Sequence, residues 1–240
     1  DIKGMLAGAA YMDSLCQKPS IEKNPALACA ALMYITMNEG KNIHVLMPYC
    51  DNLKLIADWY CQLWAESLGK AVTYDGKVVN AGTTPVKSLG VTDQHSQVQL
   101  YIEGPYDKVI TFISVGQYAT EMPIPHGCED IPDVGFLGGH TMQELIQAEN
   151  KATAYALMKA GRMNYTINMP EINAFTLGQL MFLLELQTAY TGALLNINTF
   201  NQPGVENGKK ATFALLGKSG YEGQKAEMDA APELDTKYIV

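Results

Sequence analysis

The chain has 240 residues, 48% hydrophobic and 18% charged, with a formal net charge of -8 and a pI near 5.0. That length and apolar content suffice for one sizeable core or two small ones, and they exclude a disordered chain. The acidic balance opposes nucleic acid and anionic membranes as partners, and it would repel an anionic substrate unless lysines or backbone N–H groups reverse the field locally.

Apolar residues recur at helical spacing from Ile2 to Leu15. Asn24-Pro25 reads as an N-cap followed by proline at the first helical position, opening a helix over Ala26 to Asn38 that closes at Gly40. The run Asn42 to Pro48 is short, apolar and ended by proline, as a buried parallel strand would be. Asp51 is expected to cap a second helix that runs to about Ser67 and stops at Gly69. Tyr74 to Gly90, rich in Gly, Thr, Val and Pro, predicts an irregular segment with short strands. Thr92 to Ile102 predicts a helix, with Gly104-Pro105 beyond it. Asp107 to Val115 is the second clear strand, and Met122 to Gly139 is a Pro/Gly-rich excursion. Thr141 to Ala160 predicts a long helix stopped by Gly161. A third strand over Asn164 to Met169 is expected to close at Pro170. Phe175 to Leu195 predicts an apolar helix buried on most sides, and Val205 to Leu216 a further helix. The tail after Glu227 is polar, with fraying expected.

Strands alternating with helices imply a parallel sheet covered on both faces. The fold class expected is α/β, with three to five strands, as one domain over residues 1–228 with a helical C-terminal extension, followed by a polar tail at 229–240. The five cysteines are odd in number and never spaced CxxC, so a reducing, cytoplasmic setting fits better than a disulfide framework. The four histidines never fall four residues apart, and no metal signature is present. No apolar run reaches transmembrane length and no signal peptide opens the chain. The chain begins at once with helix-like sequence at Asp1, as a segment of something longer would.

Four segments carry a resemblance. They are Gln62-Leu63-Trp64-Ala65-Glu66-Ser67-Leu68-Gly69-Lys70, Thr92-Asp93-Gln94-His95-Ser96-Gln97, Pro170-Glu171-Ile172-Asn173-Ala174-Phe175-Thr176-Leu177-Gly178 and Asn201-Gln202-Pro203-Gly204-Val205-Glu206-Asn207-Gly208-Lys209. In order and at plausible intervals, they resemble the signature blocks of the glucose-6-phosphate isomerase family. Phe213 to Tyr221 resembles the tail of its short bacterial members. The resemblance implies a flavodoxin-like three-layer sandwich with a parallel sheet, the second of the family's two sugar-isomerase (SIS) domains. It implies an aldose–ketose isomerase that interconverts glucose 6-phosphate and fructose 6-phosphate through a cis-enediol, with no metal or organic cofactor.

The same resemblance assigns roles. Glu66 would be the general base that moves a proton between C1 and C2. Such a positioned carboxylate contributes roughly 10²–10⁴-fold. It falls at a predicted helix end, where the macrodipole disfavours a carboxylate. On composition alone it reads as a solvated helix-end residue. Burial near Trp64 would raise its pKa. Gln62, four residues earlier on the same face, would line the sugar site. His95 would assist opening of the pyranose ring from the neighbouring subunit of a homodimer, a role that suits an imidazole near neutral pH. Lys209 would help ring opening and Gln202 would hold substrate. Asn201 stands where the family commonly has Asp. Ser67, Lys70 and Glu206 read as structural supports.

Two family features are missing. No Ser/Thr-rich phosphate loop of the SGTTxET kind occurs, and the sole arginine, Arg162, lies in no GGRYS-like block. In the family both lie in the preceding domain, so this chain alone is expected to lack phosphate affinity and turnover. Two other readings stand beside the isomerase half: a non-catalytic sugar-phosphate-binding SIS module, and a structural or dimerisation domain.

Overall fold

A computed structural model describes residues 1–232. The chain divides into two compact units, Asp1–Thr199 and one that starts at Phe200. Most of the expected polar tail lies outside the described residues.

The first unit is a parallel α/β sandwich. Its elements run α1 (Ile2–Cys16), α2 (Pro25–Asn38), β1 (Ile43–Pro48), α3 (Lys54–Leu68), β2 (Lys70–Val72), β3 (Val78–Ala81), β4 (Thr84–Lys87), α4 (Thr92–Glu103), β5 (Lys108–Gln117), the single turn α5 (Pro132–Gly135), α6 (Met142–Lys159), β6 (Asn164–Glu171) and α7 (Ala174–Leu194). The four-stranded sheet has the order β4-β1-β5-β6, and every pairing is parallel. Counted by appearance in that sheet the order is 2-1-3-4, the flavodoxin-like order short of its last strand. β2 and β3 form a separate antiparallel ribbon.

Alternation along the strands sorts the core into two layers. Leu46, Val109, Ile113 and Val115 face α2, α3 and α7, where they meet Met33, Tyr60, Trp64, Leu180 and Leu184. Val45, Met47, Ile110 and Phe112 face the other way, against Tyr101 of α4 and Leu157 of α6. β1 and β5 are buried almost throughout because both faces are covered. α1 lies outside α7, and Met12 and Cys16 pack with Leu183 and Ala26 in a third cluster.

The helix signals act as their chemistry requires. Asn24 Oδ1 accepts from the Leu27 N–H at 2.9 Å, and Pro25 takes the first helical position. Thr141 and Glu144 form a reciprocal capping box on α6. Gly40 and Gly161 follow their helices at φ +81 and +69, a backbone that other residues adopt only under strain.

Two local expectations fail. Asp51 does not cap α3: it opens a 3-10 turn over Asp51–Leu53, and α3 starts at Lys54 without a side-chain cap. Pro170 does not close β6, which runs on to Glu171. β6 is an edge strand, and an edge tolerates the missing N–H of proline.

The second unit contains α8 (Pro203–Leu215) and α9 (Glu222–Asp229). The Phe213 and Tyr221 rings lie 5.5 Å apart, and the Lys218 ammonium sits 3.9 Å from the Phe213 ring centroid. The sequence reading missed α9, a short, polar helix with no buried residue.

Candidate active site

α3 follows β1 and runs back across one face of the sheet, so its last turn reaches the edge where the strands begin. Trp64 Nε1 donates to Thr83 Oγ1 at 2.9 Å, beside the start of β4. The last turns of this helix divide cleanly. Trp64 and Leu68 point inward and are fully buried, whereas Gln62 and Glu66 point outward and are exposed. Gln62 Nε2 donates to Glu66 Oε2 at 3.5 Å, so the two groups expected to share a face do share one. The expected burial of Glu66 near Trp64 is not found. Two residues apart on a helix is about 200°, which puts the indole and the carboxylate on opposite sides.

A carboxylate in the last helical turn faces the negative end of the macrodipole. Lys70 offsets that. Its chain folds back under the helix end, and Nζ donates to the Glu66 carbonyl at 2.7 Å and to the Ser67 carbonyl at 2.8 Å. Lys70 is buried, at 6% exposure, and that burial pulls its pKa below the usual lysine value while the Glu66 charge opposes the shift. An ammonium held on two otherwise unpaired carbonyls closes the helix and places a cation beneath the base candidate. The i, i+4 spacing of Glu66 and Lys70 was the available signal for this.

His95 lies in the first turn of α4, which begins where the strands end. Its imidazole is exposed. Its neighbours are tightly held: Asp93 Oδ2 accepts from the Leu89 N–H at 2.7 Å, and Ser96 Oγ donates to Asp93 Oδ1 at 2.8 Å. Gln94 Oε1 accepts from the Tyr49 hydroxyl and, at 2.9 Å, from Thr153 Oγ1, while Gln94 Nε2 donates to Glu149 at 3.3 Å. Tyr49 directly follows β1. Within one chain, therefore, Glu66 and His95 lie at opposite edges of the sheet, and the fold does not bring them together.

Gln202 and Lys209 belong to the second unit. Gln202 is the residue before α8 and makes no side-chain cap bond. Lys209 Nζ donates to Glu206 Oε1 at 2.8 Å, and that contact holds the exposed Glu206 carboxyl below its usual pKa. Arg162 is structural. Its guanidinium donates to the Ile102 carbonyl at 2.7 Å and the Gly104 carbonyl at 3.1 Å, closing the end of α4. Among the described residues no cluster of His, Cys, Asp and Glu fits a metal ion, and no helix is long and apolar enough to cross a membrane.

Comparison with known proteins matches these features to one family. The family model described as Phosphoglucose isomerase matches residues 1–232. A glucose-6-phosphate isomerase of Carboxydothermus hydrogenoformans is 50% identical over 228 residues, which cover 95% of this chain and 49% of that protein. One from Rubrobacter xylanophilus is 46% identical over 222 residues, covering 92% and 49%. The chain thus spans about half the length of the curated relatives it matches. A crystal structure of a hypothetical protein from Thermus thermophilus aligns with a TM-score of 0.83 at 36% identity, covering 90% of this chain and 51% of that one. A glucose-6-phosphate isomerase from Chlamydia trachomatis aligns with a TM-score of 0.79 at 21% identity, over 94% and 45%, a likeness of fold alone.

Proposed function

Because this chain belongs to the phosphoglucose isomerase family, we propose that it is the base-bearing half of an enzyme that interconverts glucose 6-phosphate and fructose 6-phosphate. Glu66 removes the proton from C2 of the open-chain aldose, giving a cis-enediol, and returns it to C1. The observation that carries this reading is the Glu66 carboxylate. It stands exposed at the end of a helix whose other face is core, beside the Gln62 amide and over the buried Lys70 ammonium. An amide partner suits this chemistry, since Gln62 can bond sugar hydroxyls without competing for the proton.

His95 opens the pyranose ring in the site of a second subunit. Its place at the far edge of the sheet from Glu66 supports a role in trans, since one chain cannot present both groups to one sugar. By the same family resemblance, Lys209 helps ring opening and Gln202 holds substrate. A further domain supplies the phosphate loop and an arginine for the enediolate, in keeping with relatives twice as long. The setting is cytoplasmic, in glycolysis and gluconeogenesis.

Fructose 6-phosphate turnover tests the reading. The 240-residue chain alone is expected to show little or none. Joined to the first half of a relative, it should turn over, and Glu66→Gln should then lower kcat by about 10²–10⁴-fold. Full activity in that variant would rule Glu66 out as the base. Substrate bound beside Glu66 in that joined enzyme without any turnover would favour the non-catalytic sugar-phosphate module instead.

A further inference from the structure

The strand order turns about β1: from it the chain goes to β4 on one side and then to β5 on the other. In open parallel sheets the crevice beyond the strand ends at such a reversal is where ligands sit. Next to that point, between the ends of β5 and β6 and the face of α6, with Tyr49 on the β1 side, lies a crevice of about 730 Å³. Neither Glu66 nor His95 lines it.

Its chemistry departs from that of the rest of the chain. The whole sequence carries 25 Asp and Glu against 17 Lys and Arg, yet no carboxylate lines the crevice and its one charged side chain is Lys151. Lys151 is exposed and, among the described residues, makes no ion pair. Around it stand the hydroxyls of Ser114 and Thr166 and the amide of Asn168, whose Oδ1 accepts from Ser114 Oγ at 2.5 Å. At the wall Asn150, at 6% exposure, sets its side-chain amide beside the Tyr49 hydroxyl. The Tyr49 ring adds an apolar surface.

A cation, two hydroxyls, two side-chain amides and no acid fit a small anion that also carries hydroxyl groups. The geometry points to a second binding site, for a phosphorylated sugar, in the crevice between β5, β6 and α6, with Lys151 on the phosphate and Ser114, Asn150 and Asn168 on the hydroxyls. Tyr49 lines this site and bonds Gln94, the neighbour of His95, so an occupant also touches the support of the ring-opening candidate.

The test is titration of the isotope-labelled chain by NMR with fructose 6-phosphate, with inorganic phosphate, and with sodium chloride at matched ionic strength. Fructose 6-phosphate should give saturable shifts at the amides of Ser114 to Tyr118 and Gln147 to Lys151, at lower concentration than phosphate. Lys151→Met, an exposed change that leaves the core intact, should weaken binding about tenfold or more. Glu66→Gln should leave it unchanged, which separates this site from the proposed catalytic one. Shifts that never saturate, that match those of sodium chloride, or that persist undiminished in Lys151→Met would overturn the site. Equal affinity for phosphate and fructose 6-phosphate would overturn the assignment to a sugar.

Discussion

His44 stands on the central strand β1, its ring wholly inside the core. Its Nε2 pairs with Thr111 Oγ1 at 2.9 Å, and Nδ1 lies 3.4 Å from the Tyr60 hydroxyl, which accepts from Gln187 Nε2 at 3.2 Å. The ring packs edge-on against Trp64, 4.9 Å between centroids. Burial lowers its pKa to about 3, from 6.5 when free. Between those values the unfolded chain binds a proton that the folded chain refuses, so stability falls as the pH drops below 6.5, by up to about 1.4 kcal/mol per pH unit. Urea midpoints measured from pH 7.5 to 5.0 should decline in the wild-type chain and flatten in His44→Gln, whatever the absolute loss in that variant. Lys70 yields a second residue-scale prediction. Lys70→Met should destabilise the chain by about 1–2 kcal/mol, because two carbonyls lose an ammonium partner. In an enzyme carrying both halves, it should lower kcat more than it raises KM, since it shifts the Glu66 backbone and not the sugar contacts.

At the scale of elements, the contact between α1 and α7 depends on two glycines. A methyl group on Gly8 would fall 1.9 Å from the Phe175 carbonyl oxygen, and one on Gly178 would fall 2.0 Å from that of Met5. The two backbones touch, so no side chain can be accommodated without separating the helices. Gly178→Ala should therefore cost roughly 1–3 kcal/mol, although alanine favours a helix by about 1 kcal/mol; a urea midpoint equal to wild type would contradict the close approach. Asn24 joins the same region. Besides capping α2, its Nδ2 donates to the Cys16 carbonyl at 2.5 Å and the Lys18 carbonyl at 3.2 Å, tying the end of α1 to the start of α2. Asn24→Ala should lose about 2 kcal/mol, more than an isolated cap, because buried acceptors lose their donor as well. Asp51 and Pro170 mark the limits of local signals. A 3-10 turn took up the first, and an edge position made the second harmless.

For the whole molecule, the opposite placement of Glu66 and His95 carries the most consequence. If each active site draws on two chains, an enzyme with Glu66→Gln in one subunit and His95→Asn in the other has one site with both groups intact. Mixing the two inactive variants under conditions that exchange subunits should restore about a quarter of wild-type activity, as expected when half the dimers regain one of two sites. No recovery on mixing would place both groups in a single chain's site.

Read alone, the amino-acid sequence dictated the alternation of strands and helices and, to within a few residues, the borders of the longer elements, though not those of β2, β3 and β4, nor α5 and α9 at all. The alternation and the longer borders follow from local rules: apolar period, caps, glycine and proline. Its signature blocks also named Gln62, Glu66, His95, Gln202 and Lys209 as candidates. What those residues face was settled by packing in three dimensions. Packing put Trp64 in the core and Glu66 in water, because two residues along a helix reverse the direction of a side chain. It turned Lys70 back onto the helix end, set Glu66 and His95 at opposite edges of the sheet, and opened an acid-free crevice beside β5 and β6. Each of these depends on how strands are ordered and on what packs above them, and no periodicity within a single segment encodes that.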